Sequence, residues 1–393
     1  MQQIMVAAFT LFFGSIQLFA QTQTPNQLTL SGDGFVRAVT KNRTGDTGDS
    51  SFNSYLRLKS AIKADEFVTV KFGAIYNSST AQGDVRSATG STSGTHHFGN
   101  NENIRLDYAH FDYFKGEYFV SVGRQAVTSP GSFLTSDERR DRLAVAKFIG
   151  QDVLVVLYDK RAEGVTTNGR DDLDMYSVNY YGKKENLSYA LQTGWFLQKQ
   201  GNTTGTLKLR DVKQFTPQLT YFADSFAVDT YYTLVGNGTG DAVYQDWHHS
   251  MALKFTKDFP IVKFEALAAL TLDGGLIASG FDTLSSVVNN NSFNYMSNTE
   301  LAYIGLASGA KKADETLFMT KFSRELVNDL EGSFGFGHLR NYSTTKGLLL
   351  NNSVVDVSLK YKVTKATHAK LNFGQLFGDT DRLASSLTYY VNF

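Results

Sequence analysis

The chain has 393 residues, and 38 Lys plus Arg balance 38 Asp plus Glu for a net charge of zero. That balance removes any bulk electrostatic argument for nucleic acid, and the absence of cysteine removes thiolate metal sites, disulfides and cysteine nucleophiles together. A hydrophobic fraction of 42% is low for a helical membrane protein, while 30 Phe, 20 Tyr and 34 Gly against only 4 Pro suit aromatic-rich strands.

Residues 4–19 form the only long apolar run, and Phe19-Ala20-Gln21 follows as a small-residue cleavage point. Residues 1–20 therefore read as a secretory signal peptide. The run departs from the usual form in two ways: no Lys or Arg follows Met1, and Leu18 occupies the position three before the cut. A membrane anchor is the alternative, but the run is shorter than the roughly 20 residues a spanning helix needs. Residues 21–27 make a short N-terminal segment ahead of the first strand.

From residue 28 onward, short alternating segments recur to the end. They cover 28–40, 52–63, 68–77, 104–114, 118–125, 143–149, 153–158, 175–181, 187–197, 218–222, 226–235, 247–256, 262–272, 316–322, 333–342, 354–363, 369–375 and 383–393. In the third, Val68, Val70 and Phe72 share one face while Thr69, Lys71 and Gly73 take the other. In the last, Leu383, Leu387, Tyr389, Val391 and Phe393 oppose Ala384, Ser386, Thr388, Tyr390 and Asn392. Charges interleaved one-for-one with apolar residues mean one oily and one wet surface, since a filled core tolerates few lysines.

Connection lengths sort the same way. Short turns such as 64–66, 115–116, 150–152 and 223–225 alternate with long polar stretches at 41–51, 78–103, 126–142, 159–172, 198–212, 236–246 and 273–315. Short periplasmic turns alternating with long extracellular loops define an outer-membrane barrel, and a soluble sandwich has no reason to keep that alternation. The fold expected is all-β: a transmembrane antiparallel β-barrel of about 18 strands over residues 28–393. Parity requires an even count, which places the strand-like 301–307 inside the 273–315 loop. A barrel of this size leaves a water-filled lumen.

The third long loop, 128–142, is the candidate constriction. It carries Asp137, Glu138, Arg139, Arg140, Asp141 and Arg142, six consecutive charged residues. Opposed charges across a narrowed pore set up a transverse field that sorts solutes by size and dipole; the plainer reading is a solvated surface loop. Candidate lumen-facing wall charges are Arg57, Lys59, Lys63, Lys71, Arg105, Asp107, Lys254, Lys360, Lys362 and Lys370, most of them basic. Asp171, Asp172 and Asp174 are the one weak metal candidate, as oxygen ligands to a structural Ca²⁺, without EF-hand spacing. The pairs His96-His97 and His248-His249 point to opposite faces on a strand and read as surface histidines. No G-x-S-x-G, H-E-x-x-H, P-loop or dinucleotide fingerprint occurs. Gly332–Gly337 alternates with Phe and reads as a strand with small lumen residues.

Two resemblances refine this. Tyr389-x-Val391-x-Phe393 resembles the terminal signal of Gram-negative outer-membrane proteins, which implies recognition by the barrel-assembly machinery. Val120-Ser121-Val122-Gly123-Arg124-Gln125, the Ser/Thr/Asp-rich loop, Leu143-Ala144-Val145-Ala146 and the turn Gly150-Gln151-Asp152 resemble the Campylobacter-type major outer-membrane porins. That resemblance implies an 18-stranded, trimeric, cation-leaning general diffusion channel for small hydrophilic solutes, bedded in outer-membrane lipid and lipopolysaccharide. The substrate-specific 18-stranded porins of pseudomonads share the organisation. The basic wall charges, taken alone, favour anions, so selectivity stays open. A surface adhesin or receptor, with 273–315 as its organ, is the rival of a different class.

Overall fold

The computed structural model describes residues 27–43, 49–77, 104–133, 138–162, 173–198, 211–239, 245–273, 275, 277, 281–288, 313–343, 348–379 and 381–393. Residues 1–20, where a signal peptide is expected, the segment 21–26, the strand-like 301–307 and His96-His97 lie outside them.

Eighteen strands form one sheet. In chain order they are β1 (Gln27–Arg43), β2 (Asp49–Lys63), β3 (Val68–Asn77), β4 (Ile104–Lys115), β5 (Tyr118–Val127), β6 (Glu138–Ile149), β7 (Asp152–Ala162), β8 (Leu173–Lys184) and β9 (Leu187–Gln198). The second half is β10 (Val212–Phe222), β11 (Phe226–Gly236), β12 (His248–Asp258), β13 (Lys263–Leu272), β14 (Ala313–Val327), β15 (Leu330–Ser343), β16 (Leu348–Lys362), β17 (Thr367–Gly378) and β18 (Arg382–Asn392). Every strand pairs antiparallel with its neighbours in sequence, and β18 pairs back onto β1, closing the sheet. A 3₁₀ turn, Pro130–Ser132, follows β5.

The seam is tight. Gly32 N–H donates to the Phe393 carbonyl at 2.7 Å, and the Gly32 carbonyl accepts from Phe393 N–H at 3.0 Å. Any side chain at Gly32 would collide with the Phe393 ring and the Arg57 carbonyl.

Alternation fixes the two faces. The outward face is apolar and bare: Phe111 is 59% exposed, Leu387 57% and Val156 52%. Near the short-turn rim a run of outward rings, Tyr221, Phe226, Phe255, Phe264 and Phe322, crosses five strands with neighbouring centroids 5.0–6.2 Å apart. An apolar belt edged by aromatic rings on a closed sheet is transmembrane-barrel architecture, and closure leaves no unpaired edge in lipid. The glycine–phenylalanine run behaves as expected, with Phe334 and Phe336 outward and exposed while Gly335 pairs with Asp356.

Three features differ from the sequence reading. Strand β6 begins at Glu138, so Glu138–Arg142 belong to a strand and not to the loop. Strand β7 runs on to Ala162, which brings Asp159 into the wall. Charges facing the lumen interrupt hydrophobic alternation and imitate loop sequence. The third difference is inside: the lumen is not polar throughout. From β13 to β17 the inward residues Leu267, Leu317, Met319, Leu339, Val354 and Leu376 are fully buried, and part of the long 273–315 connection, residues 281–288, packs onto them.

Candidate functional site: the lumen

The first wall, β1 to β8, carries its charge in linked pairs. Asp33 on β1 accepts from Arg57 Nε at 3.0 Å and also meets Lys59 Nζ. Arg57 lies 4.0 Å from Asp107 on β4, and Arg139 of β6 donates to both Asp107 oxygens at 2.5 and 2.6 Å. Asp107 can turn toward both arginines because the β3–β4 register slips between Gly73 and Ala74. One strand further on, Asp159 of β7 accepts from Arg142 at 2.5 and 2.7 Å and from Arg140 at 3.0 Å. Lys71 pairs with Asp112 at 2.8 Å, and Ser121 donates to the same carboxylate at 2.5 Å. Bidentate arginine–carboxylate bonds of this kind fix geometry as well as charge.

The candidate constriction residues therefore separate. The side chains of Arg139 and Arg140 are 1% and 5% exposed, against aspartates at 0%, so they brace the wall. Asp141 pairs with Arg124 of β5 at 3.7 Å. Asp137 lies outside the described residues, as do the side chains of Glu138 and Arg105. Lys59, whose side chain is 36% exposed, is the wall cation most open to the lumen among these pairs.

Toward the short-turn rim, Lys360 and Lys362 line a cavity of about 810 Å³ with Asp258, Lys263, Glu331 and His368. Lys370 is buried above it, in register with Lys360 and Thr388, and Lys63 closes β2 at the same end.

Of the acidic trio, Asp171 and Asp172 lie outside the described residues. Asp174 is buried and accepts a hydrogen bond from Tyr158 at 2.8 Å. Among the described residues no group of three or more His, Asp or Glu side chains converges as metal ligands would. His248 is not a surface residue: it is 2% exposed and bonds the Asp273 carbonyl, while His249, on the opposite face, meets Tyr232 Oη at 2.7 Å.

The second wall is covered by residues 281–288. Asp356 of β16 holds this segment: Ser285 Oγ donates to it at 2.5 Å, Ser286 N–H at 2.6 Å and Val287 N–H at 3.4 Å, with Ser286 Oγ on the other oxygen. Gly335 and Gly374 stand beside Asp356 in the register and leave room for the segment. Ile277, Phe281, Leu284, Val287 and Val288 then bury against the aliphatic wall. At about 1.5–3 kcal/mol per fully buried side chain, an upper bound, that seal outweighs the polar clasp.

Asp282 is the exception in the segment, with a side chain 54% exposed and 3.6 Å from Lys254 of β12. Lys254 also lies 3.6 Å from Glu265. Enclosure by the barrel raises the Asp282 carboxyl, but Lys254, the Leu284 N–H and Lys321 lower it by more, and it is held below its ordinary value.

The third loop turns inward. After β5 the chain bends through Pro130–Ser132 and buries Phe133, which is 1% exposed, against Tyr231 of β11 and against Phe281. Sequence reasoning named the loop but missed Phe133, Asp159, Asp282 and Asp356. The available signal was a cluster of apolar residues, Ile277, Phe281, Leu284, Val287 and Val288, inside a nominally polar connection.

No family model and no curated protein matches the chain. Solved structures do. Pseudomonas aeruginosa OccK3 (OpdO) is 10% identical, with a TM-score of 0.63 over 93% of this chain and 96% of that one. Acinetobacter baumannii OccAB4 is 11% identical, with a TM-score of 0.60 over 95% and 99%. The P. aeruginosa outer membrane protein OpdK is 14% identical, with a TM-score of 0.60 over 93% and 99%; a structure of OpdK with vanillate scores 0.58 at 13% identity, over 93% and 98%. At these identities the likeness is one of fold: the chain is an all-β, closed, antiparallel 18-stranded barrel of the kind these proteins form.

Proposed function

We propose that this chain is a channel of the Gram-negative outer membrane that passes small hydrophilic solutes selectively, and is not a wide general pore. The observation that carries this is the double inward fold. Residues 128–133 and 281–288 both fold inward and meet at Phe133 and Phe281, narrowing the lumen. There a solute meets Lys59 on one side and Asp282 on the other, groups suited to orient a dipolar or charged molecule. The fold supports the reading, since one barrel of this likeness is solved with vanillate, a small aromatic carboxylate.

The passage is passive, and the Arg–Asp groups keep its wall rigid so that the exposed charges hold their places. Assembly as a trimer, recognition of the C-terminal strand by the barrel-assembly machinery and contact with lipopolysaccharide belong to the same proposal. The experiment is planar-bilayer recording of purified protein. Ohmic current that saturates with, or is inhibited by, one class of small organic ion supports a selective channel. Ohmic current indifferent to every solute would assign it instead to general diffusion, as the Campylobacter-type resemblance implies. Absence of current would remove the channel reading.

A further inference from the structure

We infer that Phe133 is the pin that joins the two inward-folded segments into one constriction, so that the third loop is positioned by the 281–288 segment and β11, far from the strand it leaves. The inference rests on the channel reading for its consequence, but its geometry stands alone.

Phe133 lies only six positions past the end of β5 at Val127, yet its ring stacks on Tyr231 of β11 at 5.3 Å and 28°. β11 stands six strands round the sheet from β5. The same ring meets Phe281 edge-on at 5.1 Å, and Tyr231 meets Phe281 at 5.9 Å, closing a three-ring cluster. Aromatic pairs at such distances add to the burial of their area. The approach is built into the backbone. Gly131 and Ser132 both take left-handed conformations, at φ 62° and 58°, and Ser132 N–H returns to the Ser129 carbonyl at 2.9 Å. A Cβ on Gly131 would run into the Tyr231 ring, so the turn rests on β11. Phe281 in turn is the neighbour of Asp282, the exposed carboxylate, and belongs to the segment that Asp356 clasps through Ser285 and Ser286. One ring thereby ties the third loop to the group that faces the solute. Phe133 touches no solute itself; it is a positioning residue.

The test is Phe133→Ala beside Phe133→Tyr, with heat-modifiable gel mobility as the folding control, because Phe133 contributes nothing to the sheet. In planar bilayers the alanine variant is expected to raise single-channel conductance by roughly twofold, toward that of an unobstructed barrel of this strand number, with noisier open current. The tyrosine variant keeps the ring and should behave as wild type. A second readout needs no current. In a Ser129→Cys background, where the side chain starts buried, a water-soluble maleimide should react roughly tenfold or more faster when Phe133 is alanine, as local opening predicts. A folded alanine variant with unchanged labelling overturns the inference, as does a tyrosine variant that labels as fast as alanine. Faster labelling in a protein that carries no current at all would keep the pin and remove the channel reading.

Discussion

On β2, β4, β6 and β7 the inward charges Arg57, Asp107, Arg139, Arg142 and Asp159 answer one another within the sheet, across one strand or two, beside apolar inward residues such as Ala146 and Val153. On β13 to β17 the inward Leu267, Leu317, Met319, Leu339, Val354 and Leu376 are apolar, and what answers them is a distant part of the chain folded back onto them, clasped by Asp356. The charges of the first wall spend themselves on bonds within the sheet. The second cannot meet water without cost and has recruited a cover. A strand's inward face in a barrel thus need not be polar; it needs an answer, from across the sheet or from across the lumen.

Four changes break or sharpen that contrast. Asp159→Ala leaves Arg140 and Arg142 buried without their carboxylate, and should cost about 4 kcal/mol of stability; the measurement is thermal unfolding in detergent followed by gel mobility. A cost near zero would mean that the first wall is merely hydrated. Leu317→Ala, on the covered wall, should cost about 3 kcal/mol, in the range for a buried leucine, read by the same unfolding. If instead it raised conductance at no cost in stability, the cover would not be seated as described.

Lys59→Glu changes a half-exposed group, so stability should move by less than about 1 kcal/mol. Its effect belongs in the reversal potential under a salt gradient, shifted toward cations. Asp282→Asn should shift the same potential toward anions at neutral pH. Acid should reproduce that shift in the unmodified protein. Because the folded carboxyl sits below its unfolded value, its charge and any seating it contributes persist through the ordinary carboxylate range and fade only as pH falls further. An anion shift beginning within the ordinary range would contradict the pairing with Lys254.

Much of the fold was legible in the sequence. Val68-Thr69-Val70-Lys71-Phe72 and the final strand show period two directly, and the alternation of short turns with long connections gives an even number of strands. Those signals are local, so one sequence displays them. The lumen was less legible for the same reason. Arg139 and Arg142 look like loop residues until Asp107 and Asp159 stand beside them, and that depends on registers involving four different strands. Segment 281–288 reads as exposed loop because nothing nearby says that β13 to β17 lack a covering. Predicted wall cations such as Lys71 do fall on the inward face, yet the charged run disperses, Arg139 reaching Asp107 two strands away while Asp141 pairs with Arg124 next door.

The meeting of Gly32 with Phe393 bears on the order in which this molecule can be made. Each of the other strand pairings links segments adjacent along the chain, and hairpins of that kind close at modest entropic cost. The pairing of β1 with β18 joins Asp33 to Asn392 and so spans nearly the whole polypeptide. Until β18 is in place, β1 has a free edge and so does the strand that ends the sheet. Circular closure therefore waits on the pairing most distant along the sequence. A chain that lost β18 altogether would be an open sheet with two exposed edges in lipid, and not a barrel slightly smaller than this one.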